Sequence, residues 1–287
     1  MKKVGIAAVL TSDSVDVADL AVKCEQLGFD SLWLGEHPVL PVHTSTKWAW
    51  SEDGSFPRAY PLFVEPLTAL MRAATVTKNI LLGTGVCLVA EHNPLVLAKE
   101  IATLDMYSGG RFLFGIGAGW HKEEAEMLGV DFPHRWTQVR ESVEALKVLW
   151  TDDESEYHGQ YYDFPPVWCY PKPSRKPHPP IIMGGHATNA FKRIISWGDG
   201  WMPNRYNPEE LSEGRKILDG LAREAGRDPS DIEITAFGQG SDPKLISAFH
   251  KNGADRVVIM LQQDNDLEAP KTDEAFEKLE SIAANIF

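Results

Sequence analysis

The sequence predicts an α/β fold of the (β/α)8 TIM-barrel type, and two observations carry that expectation. Eight short apolar runs bounded by Gly, Pro or Asp alternate with eight amphipathic stretches, the pattern of βα units around a parallel sheet. Eight such pairs within 287 residues fit a closed barrel better than a doubly wound open sheet, which usually has fewer strands. No composition shift marks a linker, so residues 1–287 are expected to form one domain.

In chain order, the first strand is expected at 4–10, closed by the polar run Thr11-Ser12-Asp13-Ser14. The first helix, 15–27, ends at Gly28, which supplies a left-handed residue just past the helix. The second strand is 31–36. After it comes an insertion, 38–60, carrying Trp48, Trp50, Phe56 and several prolines. Since it follows a strand, it should sit over the barrel mouth, either as a lid or substrate wall or as a packed surface loop or dimer contact. Helices at 66–77, 95–106 and 138–150 alternate with strands at 80–86 and 111–117. Between 156 and 180 lies a second insertion, His158-Gly159-Gln160-Tyr161-Tyr162-Asp163-Phe164 with a proline-rich tail, which reads as a hairpin. The last strands are 180–185, 200–203, 232–238 and 256–261, of which 200–203 is short and contains Pro203. Helices at 188–197, 208–225, 243–251 and 272–284 complete the repeat.

A formal net charge of -13 argues against a sequence-blind grip on nucleic acid or an anionic membrane, since both would be repelled. Cys24, Cys87 and Cys169 are odd in number and lack CxxC spacing, so they read as reduced thiols in a cytoplasm. Residues 4–10 are too short for a signal-peptide core, and no window approaches the roughly 20 apolar residues of a membrane span.

In such a barrel, reactive groups stand where strands end and loops begin. The second strand ends in Glu36-His37. Either these form a structural hydrogen-bonded pair, or Glu36 holds a cofactor or orients a base while the imidazole of His37 exchanges a proton with substrate. The third strand ends in Gly83-Thr84-Gly85-Val86, where glycine permits close backbone approach or an unusual peptide conformation. The fourth gives Gly117-Ala118-Gly119-Trp120, whose amides could face an anion or a planar ring. After the fifth, Gly184-Gly185-His186-Ala187 opens directly into a helix, a place suited to phosphate because free amides and the helix dipole converge there. Trp48, Trp50, Phe56, Trp120 and Trp168 could line an apolar pocket or serve as core and interface filler. His121 and Glu124 are three apart on an expected helix, but Lys122, Glu123 and Glu126 around them read as a solvated face, and no metal-site spacing is found.

The segments Trp33-Leu34-Gly35-Glu36-His37, Leu82-Gly83-Thr84-Gly85-Val86, 93–105, Ser108-Gly109-Gly110-Arg111 and Gly115-Ile116-Gly117-Ala118-Gly119-Trp120 together resemble the luciferase-like monooxygenase superfamily. Glu36-His37 followed by 51–57 and Glu65-Pro66-Leu67-Thr68 is similar to its deazaflavin branch, whose cofactor is coenzyme F420; users of flavin mononucleotide (FMN) share most of these motifs. The resemblance implies a non-prolyl cis bond between Gly85 and Val86 behind the cofactor ring. It places the phosphate at Gly117, Ala118 and Gly119 with Gly184, Gly185, His186 and Ala187, and makes His37, beside Glu36, the proton donor or acceptor. Apart from the resemblance, Trp48, Trp50 and Trp120 are the aromatic candidates for a substrate wall. Trp120 stands where the family's sugar-phosphate dehydrogenases carry glutamate, which speaks against glucose 6-phosphate as substrate.

The implied activity is hydride transfer between C5 of the deazaflavin and a small organic molecule, with His37 handling the proton. Two alternatives remain at this point: a reduced-FMN monooxygenase using oxygen, and a non-catalytic flavin-binding protein. The resemblance further implies a homodimer; a flavin or F420 reductase is the expected protein partner, while the acidic charge and the reduced thiols point to a cytoplasmic protein with no nucleic-acid or membrane partner.

Overall fold

A computed structural model describes residues 2–49, 51–185, 188–262 and 269–287. Along the chain, β1 (Lys3–Ala8), α1 (Val17–Leu27), β2 (Ser31–Leu34), α2 (Pro66–Val76), β3 (Leu81–Thr84), β4 (Cys87–Leu88), α3 (Pro94–Ser108) and β5 (Phe112–Gly117) form the first half. Then follow α4 (Lys122–Met127), α5 (Arg135–Thr151), β6 (Ser155–His158), β7 (Asp163–Val167), β8 (Ile181–Gly184) and α6 (Thr188–Trp197). The chain ends with β9 (Gly200–Met202), α7 (Pro208–Glu224), β10 (Glu233–Gln239), α8 (Pro243–Lys251), β11 (Arg256–Met260) and α9 (Thr272–Ile286).

All pairings in the main sheet are parallel, and its order runs β3-β2-β1-β11-β10-β9-β8-β5, with β3 also paired to β5. That last pairing closes an eight-stranded barrel, as the repeat predicts. One expected strand is divided: instead of a continuous 80–86, β3 stops at Thr84, the Gly85–Val86 peptide is cis, and the two-residue β4 resumes pairing with β5 through Cys87 and Leu88. The insertion at 156–180 contains the antiparallel pair β6–β7, so the hairpin expectation holds. Before α5, the helix expected around His121 and Glu124 is present as the short α4.

Period-2 alternation sorts each strand's side chains into two cores. Val4, Ile6 and Ala8 of β1 join the layer between sheet and helices, whereas Ala7 joins Trp33, Leu113, Ile182, Met202, Phe237 and Val258 inside the barrel. Trp33 is fully buried there, its ring meeting Phe237 edge-on at 6.1 Å between centroids. Room for that indole comes from Gly83 on the adjacent strand, where a Cβ would lie 2.3 Å from Trp33 Cε3. Gly28 closes α1 with φ +88°, as expected. Glu65 starts α2 by accepting the amides of Leu67 at 2.8 Å and Thr68 at 2.6 Å, with Pro66 as the first helical residue. Cys24, Cys87 and Cys169 are unpaired and buried. No helix among the described residues is long and apolar enough to cross a membrane.

Candidate active site

The C-terminal strand ends surround a cavity of about 560 Å3, within the usual range for small-molecule sites. Its floor is the top of the barrel core: Ala7, Trp33, Val86, Phe237 and Met260. Glu36 and His37 rise from the end of β2, and Asn204, Arg205, Gln239 and Gln262 from the ends of β9, β10 and β11. Trp48 and Tyr60 from the first insertion, with Phe63 and Trp120, make an aromatic wall. The insertion therefore contributes a wall, one of the two roles open to it from sequence.

That insertion is strapped to the start of α4. Glu123 accepts from the Ser45 amide at 2.7 Å and hydroxyl at 2.6 Å and from the Thr46 hydroxyl, bonds that hold its carboxyl well below the usual range. His121, almost fully buried, lies 3.2 Å from the Thr44 hydroxyl and accepts the Glu124 amide at 3.1 Å through Nδ1.

Glu36 and His37 turn to different partners, neither to the other. Glu36 accepts the Leu88 amide at 2.6 Å and meets His92 Nε2 at 2.7 Å. His37 Nδ1 lies 2.7 Å from Oε2 of Glu124. Glu36 is thus an anchor between β2 and the segment after β3 and does not orient His37. The reading of residues 121–126 as a solvated face is corrected as well: Lys122 and Glu126 are exposed, but Glu124 retains only 1% of its surface. In a six-residue helix one face can carry charges to water while one carboxylate points inward. The imidazole of His37 also touches Tyr60, Phe63 and Trp120, with ring centroids at 4.8, 5.7 and 5.8 Å.

Behind this pair sits Glu91, whose two carboxyl oxygens are buried without a hydrogen-bond partner among the described residues. Burial, with added repulsion from Glu124 and Glu36, pushes its carboxyl up to about 9, so it is neutral at pH 7. It packs against Gly119, where a Cβ would come within 2.8 Å of Glu91 Oε1 and where φ is +73°. Glu36, Cys87 and His92 also bring three ligand-type atoms within 4.8 Å of one another. Cys87 and His92 share one segment, but Glu36 comes from a separate strand end, so no spacing in the sequence could announce the trio. Glu36 bonds to His92, and burial first, then Glu36, pushes the Cys87 thiol well up.

Gly85 and Val86 line the cavity, whereas Gly117, Ala118, Gly119, Gly184 and Gly185 lie outside its lining. Val86 sits between two of them: a Cβ on Gly117 would meet its Cγ2 at 2.7 Å, and one on Gly184 its Cγ1 at 3.6 Å. Ala118 is buried, the Gly119 carbonyl accepts from Arg135 Nε at 3.2 Å, and the Gly185 carbonyl accepts from Trp201 Nε1 at 3.0 Å. His186 and Ala187, expected to bind phosphate, and Trp50, expected in the substrate wall, lie outside the described residues. Phe56 stacks on Trp120 at 5.6 Å, whereas Trp168 is 77% exposed and does not line this cavity. Sequence reasoning missed Glu91, Glu124, Tyr60 and Phe63, together with the polar quartet Asn204, Arg205, Gln239 and Gln262.

The luciferase-like monooxygenase family model matches residues 7–240. An uncharacterised protein of Mycobacterium tuberculosis is 33% identical over 281 residues, 97% of this chain and 96% of that one. An F420-dependent glucose-6-phosphate dehydrogenase of Amycolatopsis mediterranei is 32% identical over 192 residues, 65% of this chain and 52% of the relative. In architecture the chain is similar to the coenzyme F420-dependent tetrahydromethanopterin reductase of Methanopyrus kandleri, with a TM-score of 0.74 at 18% identity over 99% of this chain and 98% of that one.

Proposed function

The chain belongs to the luciferase-like monooxygenase family, and from that premise we propose that it is an F420-dependent oxidoreductase acting on a small organic molecule, with His37 as the residue that gives or takes the substrate's proton. The observation that carries this reading is His37 itself: an imidazole in the wall of the cavity, in an aromatic setting, with Nδ1 held by a buried carboxylate. The identity to an F420-dependent dehydrogenase of Amycolatopsis mediterranei supports the choice of cofactor.

The cavity fits a planar heteroaromatic ring, since an apolar floor of Trp33, Val86, Phe237 and Met260 faces polar groups on Asn204, Gln239 and Gln262. On this reading Gly85 and Val86 back the ring, and Gly117, Ala118, Gly119, Gly184 and Gly185, with His186 and Ala187, receive the phosphate. When bound, a deazaflavin supplies hydride transfer at a ring carbon and reacts poorly with oxygen. The protein's part is to hold ring and substrate together, keep water out with Trp48, Tyr60, Phe63 and Trp120, and move one proton at His37. Trp120 and its aromatic neighbours favour a substrate with an apolar face over a sugar phosphate. A homodimer served by a separate F420 reductase belongs to the same proposal.

The test is to add F420 and FMN separately to purified protein and measure affinity and turnover. Tight binding of F420 with substrate-dependent oxidation or reduction is expected, and His37→Ala should leave binding within about two-fold while cutting turnover by about 100-fold or more. Binding of FMN alone rejects the F420 reading in favour of a flavin monooxygenase. Unchanged behaviour of His37→Ala, with no turnover found for the parent, favours a flavin-binding protein.

A further inference from the structure

We propose that Glu124 is the positioning residue for His37: its carboxylate holds the imidazole through Nδ1, so that Nε2 is the nitrogen presented to the substrate. The inference rests on the reading of His37 as the proton-handling group and adds a residue that the cavity wall itself does not contain.

Four observations support it. The Nδ1–Oε2 contact is 2.7 Å, and the two side chains keep 6% and 1% of their exposure, so water cannot compete for either atom. His37 Nε2 takes no partner among the described residues, although His37 lines the cavity. Glu124 is itself delivered by a built support. Its amide is accepted by His121, and the neighbouring Glu123 is tied to Ser45 and Thr46, so the turn that carries it cannot drift from the wall. Finally, Glu124 Oε1 is buried with no hydrogen-bond partner among the described residues. A half-satisfied buried carboxylate destabilises the fold, and its retention beside a cavity histidine is the pattern of a group kept for function.

The chemistry follows the general logic of an oriented base. A carboxylate that accepts from Nδ1 fixes the neutral ring in its Nδ1–H tautomer, leaving the lone pair on Nε2; when Nε2 gains a proton, the adjacent negative charge steadies the imidazolium. One proton moves between Nε2 and a substrate oxygen, and Glu124 does not itself change protonation. The groups facing the pair are Glu91 on the segment after β3, Glu36 at the end of β2, His121 and Glu123 beside it, and Tyr60 and Arg205 across the cavity.

The experiment compares the wild-type protein with Glu124→Gln and His37→Ala. In cofactor-free wild-type protein, 15N shifts of His37 are expected to report the Nδ1–H tautomer, and in Glu124→Gln a shift toward the Nε2–H form. In steady-state kinetics with F420, Glu124→Gln should lower kcat by about 10- to 100-fold while leaving KM and cofactor affinity within about two-fold; Glu124→Asp, which restores the charge, should recover part of the loss. An Nε2–H tautomer in the wild-type protein overturns the proposal without recourse to any variant. So does a Glu124→Gln enzyme with unchanged tautomer and unchanged kcat. Full turnover by His37→Ala instead overturns the role of His37, a separate outcome, since the tautomer measurement does not depend on turnover.

Discussion

Glu36 Oε1 lies 2.7 Å from Nε2 of His92, a residue 56 positions further along the chain. The contact ties the end of β2 to the segment that follows the cis peptide, and it does so from inside the cavity wall, because the other Glu36 oxygen holds the Leu88 amide.

Burial works against a charge on His92, but the bond to Glu36 and its negative charge outweigh it and the net effect is upward. A histidine raised in the folded state contributes stability that is fully present below its unfolded value near 6.5 and is lost as pH rises through the folded value. Glu36→Gln keeps the shape and removes the charge, so it should cost about 2 kcal/mol near pH 6 and distinctly less at pH 9. Urea denaturation at the two pH values checks this; an equal cost at both would show that the charge is irrelevant.

Glu91 carries the opposite instruction. Its carboxyl is pushed up to about 9 from the ordinary 4.5, so folding favours the protonated form. The stability linked to that proton is fully present below 4.5 and is lost as pH rises toward 9. Glu91→Gln removes the dependence. Allowing for partial solvent screening, the variant should gain about 2 kcal/mol over wild type at pH 8.5 and little at pH 5. Thermal midpoints across that window decide the matter, and a variant that is less stable at pH 8.5 contradicts it.

Gly83→Ala should be among the most damaging single-methyl additions. The new Cβ would sit 2.3 to 2.6 Å from three atoms of the Trp33 ring, and overpacking of this kind costs about 3 kcal/mol. Combining it with Trp33→Leu should give a loss well below the sum of the two, because the second change removes the atoms that clash. Strict additivity in chemical denaturation would argue against the contact.

The barrel was legible because its evidence is local. Apolar runs such as Val4 to Leu10 and Arg256 to Leu261 are punctuated by glycine, proline and aspartate, and the count of such runs chooses the architecture. The rim glycines were legible for the same reason, as was His37 at the end of a strand. The partner of His37 was not: Glu124 is 87 positions away, flanked by residues that do face water, on a helix too short for a period to emerge. Glu91 was hidden by a related effect, since its identity as an acid predicts exposure and only the enclosing fold makes it neutral. The break in the third strand at Gly85–Val86 entered through family likeness, as no local propensity specifies it.

The closing of β3 onto β5 and the double proline in the β6–β7 hairpin have a shared effect on colloidal behaviour. A ring of strands offers no template to another molecule, because its amides and carbonyls are spent on one another. The hairpin is the only separate two-stranded sheet among the described residues, and Pro165 and Pro166 deprive it of two amide donors. Among the described residues, the barrel therefore offers no continuous hydrogen-bonding edge from which fibrils could grow.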